Sequence, residues 1–219
     1  MVPGRRLPRL PSARPTRRRR PPVIAILGVD GSGKTTQARL LAERLRRDGI
    51  GASYFENAGG RPVTDWIAHR LGRADGRALF SPTGIVVIES TLRWLAVGRA
   101  LGLSRVTGRV AVMDRYGYCQ QALMRARGDH GAGLVRLAFL PFGAPDLVVF
   151  LAVDVAQAQE RVELRGYDRE ELAYLEAFAA AYASLPESEA FVALDASGSI
   201  DEVHERIHGI IAPLLGRGR

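Results

Sequence analysis

GVDGSGKT, residues 28–35, joins two different hydrophobic periods. Before it, VIAIL (23–27) is a short continuous apolar run bounded by proline and glycine, the pattern of a strand buried on both faces of a parallel sheet. After it, Ala38, Leu41, Ala42 and Leu45 recur at i, i+3, i+4 and i+7, which makes one apolar helix face. Arg44, Arg46 and Arg47 crowd the end of that pattern before Asp48-Gly49, as a helix C-terminus favours. A strand, a glycine-rich loop and a helix must therefore follow in order. Few folds accommodate a buried strand that turns so tightly into a packed helix.

The loop satisfies G-x-x-x-x-G-K-[ST] in the strand-to-helix context that a phosphate-binding P-loop requires. Gly28, Gly31 and Gly33 let backbone N–H groups converge on phosphate oxygens, with Ser32 and Thr36 completing the cradle. The helix N-terminus adds its positive dipole end. Lys34 is the only lysine among 31 basic residues. Its compact ammonium reaches β and γ phosphates where the broad planar fork of an arginine fits badly, and the Thr35 hydroxyl suits Mg²⁺. The motif implies nucleotide binding, with ATP and Mg²⁺ as the expected ligands. It does not select among switches, motors and kinases.

The alternation continues. ASYF (52–55), VAVMD (110–114), DLVVFLAVD (146–154) and FVAL (191–194) read as strands, with helical stretches near 63–72, 83–102, 117–138, 155–184 and 200–214. This predicts an α/β P-loop three-layer fold: a mostly parallel five-stranded sheet flanked by helices. ELRGYDREE (163–171) predicts an exposed, movable interruption of the helix 155–184. Residues 1–22 hold eight arginines and no acid, which matches the whole formal net charge of +8. Rich in Pro and Arg, this segment is expected to be a disordered tail ahead of a domain at 23–219, and the only place for nucleic-acid or acidic-membrane contact. One cysteine, Cys119, excludes an internal disulfide and suits a cytoplasmic protein. No run approaches the roughly 20 apolar residues of a membrane span. His204 and His208 stand at i, i+4 but lack a third ligand for a metal.

GVDGSGKTTQARLLAERL resembles the thymidylate kinase family of nucleoside monophosphate kinases, and the resemblance runs through most of 23–214. VAVMDRYGYCQQA is similar to that family's Asp-Arg-Tyr segment after its third strand. APDLVVFLAVDVAQAQERVELRG is similar to its fourth strand and lid, and FVALDASGSIDEVHERI to its last strand and helix. The resemblance implies an ATP-dependent transfer of the γ-phosphoryl group to dTMP or a related monophosphate and a short arginine-bearing lid; it is compatible with a homodimer, and the sequence leaves the oligomeric state open. It also implies roles for individual residues. Asp114 would hold Mg²⁺ or its waters, and Arg115 the transferring phosphoryl group. Arg161 and Arg165 would close over the phosphates from the lid. Asp30 would meet the acceptor sugar and metal water, and Arg93 the acceptor.

The departures from the family pattern concern the acceptor. Glu56-Asn57-Ala58-Gly59-Gly60 stands where the family shows Arg-Glu-Pro-Gly-Gly. Glu89 stands four residues before Arg93, where an aromatic often stacks on thymine, and Ala122-Leu123-Met124 replaces Ala-Tyr-Gln. A carboxylate near an alcohol can orient or deprotonate it. Glu56 therefore opens a second reading, a kinase of nucleosides or other hydroxyl compounds. Arg61, Arg93, Arg125 and Arg127 offer a phosphate site instead. A third reading is a regulatory P-loop protein without catalysis.

Overall fold

The structure, a computed structural model, describes residues 20–74, 76–164 and 172–216. The predicted strands form β1 (Val23–Gly28), β2 (Ala52–Glu56), β3 (Val110–Asp114), β4 (Leu147–Ala152) and β5 (Val192–Asp195). They make one sheet in the order β2-β3-β1-β4-β5, parallel throughout, with the P-loop strand at its centre. The helices are α1 (Lys34–Arg47), α2 (Arg61–Arg70), α3 (Gly76–Leu79), α4 (Pro82–Thr107), α5 (Gly117–Arg127), α6 (Ala132–Phe139), α7 (Val155–Glu163), α8 (Leu172–Ala183) and α9 (Ile200–Gly216).

Alternation along the central strands assigns side chains to two separate cores. Ala25 and Leu27 of β1, with Ala111 and Met113 of β3, join α4, α5 and α8 residues on one face. Ile24 and Ile26, with Val112 and Val149, join Leu41 and Leu45 of α1 and Ile207 and Ile211 of α9 on the other. Ile24, Ile26, Leu41 and Leu45 are fully buried, each contributing about 2 kcal/mol of apolar transfer. The three layers are therefore specified by period-2 strands meeting period-3.6 helices.

Helix boundaries follow local chemistry. Ser81 caps α4 by accepting from Gly84 N at 3.1 Å, with Pro82 in the first turn. α4 runs five residues past the predicted end, because the left-handed stop is Gly108 and not Gly102. The expected helix 117–138 is two: Gly128 ends α5 and Gly131 precedes α6, both with positive φ. Apolar periodicity carried across that break concealed it. Ser199 and Glu202 form a reciprocal capping box at the start of α9, with Ser199 N donating to Glu202 Oε2 at 2.8 Å and Glu202 N to Ser199 Oγ at 3.3 Å.

Arg20, inside the expected tail, forms a 3.1 Å ion pair with Asp146 at the foot of β4; residues 1–19 lie outside the described residues. His208 Nε2 lies 3.3 Å from Asp48. Among the described residues no helix is long and apolar enough to cross a membrane.

Candidate active site

The site lies at the carboxyl ends of β1 and β3, where parallel sheets of this kind place ligands. Gly28, Gly31 and Gly33 all have positive φ. A Cβ on Gly31 would collide with the Ala158 carbonyl of α7, so this loop closes against that helix. Lys34 is buried; its Nζ donates to Val29 O at 3.1 Å and to Asp30 Oδ1 at 2.7 Å. Arg115 Nη2 donates to the same Asp30 oxygen at 2.7 Å. Burial pushes the Asp30 carboxyl up, but the Lys34 and Arg115 charges overcome it and hold the group well below the usual carboxylate range. Burial likewise opposes charge on Arg115, yet Asp30 and the groups around it keep its guanidinium firmly protonated.

Arg115 is the one described non-glycine residue with positive φ, +74°. That conformation costs on the order of 1–2 kcal/mol, and neighbours hold it: Arg115 N donates to Ile26 O at 3.2 Å, and Asn57 Nδ2 donates to Arg115 O at 2.9 Å. The turn carries the guanidinium back over the P-loop. Cys119, one helical turn on, accepts from Arg115 Nη1 at 3.4 Å. Burial raises the Cys119 thiol, but Arg93 and Arg115 bring it below its ordinary range.

On the opposite side of the loop, the Thr35 hydroxyl donates to Asp114 Oδ2 at 2.6 Å, and Tyr54 reaches the same oxygen at 3.4 Å. Burial, then the Asp114 charge, pushes the Tyr54 hydroxyl up to about 12. Asp114 Oδ1 is buried with no hydrogen-bond partner among the described residues. A hydroxyl and a carboxylate with an unused buried oxygen are the hard donors that Mg²⁺ takes, so these two residues fit that ion.

A cavity of about 380 Å³ extends from the P-loop between α7 and α9, within the range of small-molecule sites. Gly31, Ser32, Gly33 and Thr36 form one wall, with Arg161, Ala196 and Gly198 opposite. Arg161 Nη1 donates to Ala196 O at 3.3 Å, placing it beside the loop that follows β5. Gln37 Nε2 donates to Ile200 O at 2.8 Å and joins α1 to α9 behind the cavity. Arg165 lies outside the described residues.

Arg93 projects from α4 on the sheet's other face. It is buried, donating from Nε to Gln120 Oε1 and from Nη1 to Asn57 O, each at 3.1 Å. Gly59 passes so near that an added Cβ would lie 2.8 Å from Arg93 Nη2. The loop after β2, the α4 face and the start of α5 thus form one buried polar cluster around Arg93, which Asn57 ties to Arg115 beside the P-loop.

Glu56 does not join it. Tyr54 and Glu56 share the α1 side of β2, while Phe55 points into the α4–α5 core. The exposed Glu56 carboxylate lies 3.6 Å from Arg39. The expectation of a phosphate site from Arg125 and Arg127 is also corrected: Arg125 Nη1 donates to Ser184 O at 2.8 Å, and Arg127 Nη1 donates to Glu89 Oε2 at 2.8 Å. Two residues apart on a helix, they face different neighbours. The Arg61 side chain lies outside the described residues. Sequence reasoning missed Tyr54, Asn57 and Gln120 as site neighbours, because each is held by a partner distant in the chain; it also missed Cys119, whose contact with Arg115 is only four residues away.

Comparison with known proteins agrees with this geometry. A family model described as thymidylate kinase matches residues 26–207. The chain is 27% identical over 203 residues to a thymidylate kinase of Halothermothrix orenii, covering 84% of this chain and 93% of that protein. It is 28% identical over 207 residues to the thymidylate kinase of Pseudomonas fluorescens, covering 90% and 97% respectively. With the thymidylate kinase of Pelobacter propionicus it shares 29% identity over 203 residues, covering 84% and 90%.

Proposed function

The chain belongs to the thymidylate kinase family, and on that premise we propose that it transfers the γ-phosphoryl group of ATP to a nucleoside monophosphate, dTMP first among them. The observation that carries the reading is the position of Arg115. Its guanidinium lies 2.7 Å from Asp30 of the P-loop, and its main chain is tied through Asn57 to the buried Arg93 cluster. A P-loop that only sensed nucleotide would not need a strained backbone to aim a cation at that junction.

The chain's own groups suffice to describe the transfer. Lys34 and the loop amides hold the donor phosphates, and Arg115 balances charge that spreads over the transferring oxygens. Arg161 closes the donor cavity from α7, and Arg165 is expected to join it from the lid. Asp30, acceptor-only when ionised, fixes Lys34 and Arg115 and can accept from an acceptor hydroxyl. Thr35 and Asp114 would hold Mg²⁺, which when bound supplies charge neutralisation at the phosphates. Direct in-line attack by an acceptor phosphate oxygen needs no covalent enzyme intermediate.

The hydroxyl-kinase reading depended on Glu56 acting as base, and Glu56 is engaged by Arg39 on the α1 side of the sheet. An ADP-release assay across dTMP, other nucleoside monophosphates and nucleosides, with Lys34→Ala as blank, tests the proposal. Turnover above the blank with dTMP or another monophosphate is expected. Phosphorylation of a nucleoside but of no monophosphate overturns it.

A further inference from the structure

The transfer described above depends on the orientation of Arg115, and a planar guanidinium needs two contacts to fix both its plane and its rotation within that plane. Asp30 Oδ1 takes Nη2 at 2.7 Å. Through that contact alone the fork is free to pivot about the Asp30 oxygen. The second contact comes from Cys119, whose sulfur accepts from Nη1 at 3.4 Å. Cys119 stands in the first turn of α5, where its backbone N–H donates to Tyr116 O at 3.0 Å. It is fully buried.

A buried cysteine usually serves as a small apolar filler. The neighbours of this one are polar. Burial raises the thiol, but the charges of Arg93 on α4 and of Arg115 lower it overall, which favours the thiolate, the better acceptor for a guanidinium. A second observation comes from α8. The Tyr182 hydroxyl is buried without a hydrogen-bond partner among the described residues. Burial, then the Cys119 sulfur beside it, raises this hydroxyl well above its ordinary value, so it stays protonated. An unused buried donor calls for an acceptor, and Cys119 is the one at hand.

We propose that Cys119 is a positioning residue for phosphoryl transfer: its sulfur holds the Arg115 guanidinium in its working orientation, and Tyr182 secures the sulfur from α8. The inference rests on the monophosphate-kinase reading and deepens it. No bond to sulfur forms or breaks, because Cys119 acts through Arg115. Loss of the acceptor leaves the Arg115 charge in place but lets the fork pivot. The cost therefore falls on the transfer step more than on ATP binding, which Lys34 and the loop amides carry.

Serine and alanine are nearly equal in volume and differ by one acceptor, so at this closed position they separate positioning from packing. The test follows kcat and KM for ATP and monophosphate in wild type, Cys119→Ser, Cys119→Ala and Tyr182→Phe, with thermal melts for folding. Cys119→Ala should lower kcat by about tenfold or more while the ATP KM stays within about twofold. Cys119→Ser, whose hydroxyl also accepts, should exceed Cys119→Ala in kcat by about threefold or more, even where it melts no higher. Tyr182→Phe should lower kcat by about threefold without lowering the melting temperature, since it removes a hydroxyl that has no partner. In Arg115→Lys, which lacks Nη1, the advantage of serine over alanine should vanish. Equal kcat in Cys119→Ser and Cys119→Ala, or kcat losses that merely follow melting temperature, overturn the inference while leaving the kinase reading intact. Absence of wild-type turnover with every monophosphate overturns both.

Discussion

The Thr35 hydroxyl donates to Asp114 Oδ2 at 2.6 Å, joining the first turn of α1 to the end of β3 across the neighbouring β1 strand. Asp114 Oδ1 has no partner among the described residues. Two oxygen donors so placed beside the phosphate cradle predict that Asp114→Asn raises the Mg²⁺ concentration needed for half-maximal rate and lowers kcat by roughly 100-fold or more. Thr35→Ser, which keeps the hydroxyl, should remain within about tenfold of wild type. Titrating Mg²⁺ in an ADP-release assay checks this. An unchanged Mg²⁺ requirement in Asp114→Asn would remove the ion from these residues.

Lys34 is the chain's only lysine, and its surroundings explain why arginine did not replace it. Nζ sits buried between Val29 O at 3.1 Å and Asp30 Oδ1 at 2.7 Å. A guanidinium is broader, planar and carries five donors in a fixed fork. Lys34→Arg should therefore preserve net charge yet lower kcat/KM for ATP by about 100-fold or more, with far-ultraviolet circular dichroism unchanged. Activity near wild type would show that charge alone serves there.

The phosphate cradle and the sheet were legible because their signals are local. The P-loop occupies eight consecutive positions, and each strand announces itself by its own apolar run. The polar cluster around Arg93 was not, because its contacts join residues 27 to 58 positions apart: Arg93 with Gln120, Arg93 with Asn57, and Asn57 with Arg115. Glu56 misled for a physical reason. Spacing located it at the end of β2, but which face of the sheet it serves depends on register, and one position decides between the α1 side and the α4 side. Gly128 and Gly131 were likewise visible, yet periodicity through 117–138 outweighed them until their positive φ values separated α5 from α6.

The Asp30 carboxyl, lowered by Lys34 and Arg115 against the opposing effect of burial, makes stability depend on pH. Its folded-state value lies below the unfolded value. The contribution is therefore fully present above about pH 4–5, the unfolded carboxylate range, and is lost as pH falls toward the folded value. Urea unfolding of wild type and Asp30→Asn between neutral pH and about pH 3 should show a difference that shrinks on acidification. A difference independent of pH would mean that Asp30 is not bound more tightly as the anion in the folded protein.

Gly31 and Gly33 separate backbone strain from steric conflict within one loop. Their φ values are nearly equal, +84° and +86°, so alanine at either position meets a conformational penalty of about 1–2 kcal/mol. A Cβ at 33 has nothing within 4 Å, whereas a Cβ at 31 would strike the Ala158 carbonyl and come within 2.9 Å of Ala158 Cα. Backbone cannot swing aside as a side chain can. Gly31→Ala must displace α7, adding about 1–3 kcal/mol, and α7 carries Arg161 at the donor cavity. Urea midpoints should therefore rank wild type above Gly33→Ala and Gly33→Ala above Gly31→Ala. Equal midpoints for the two variants would show that α7 does not rest against the P-loop. Because the relevant α7 residue touches the loop through its main chain, no side-chain substitution at Ala158 should relieve the conflict, and Ala158→Gly paired with Gly31→Ala should be no more stable than Gly31→Ala alone.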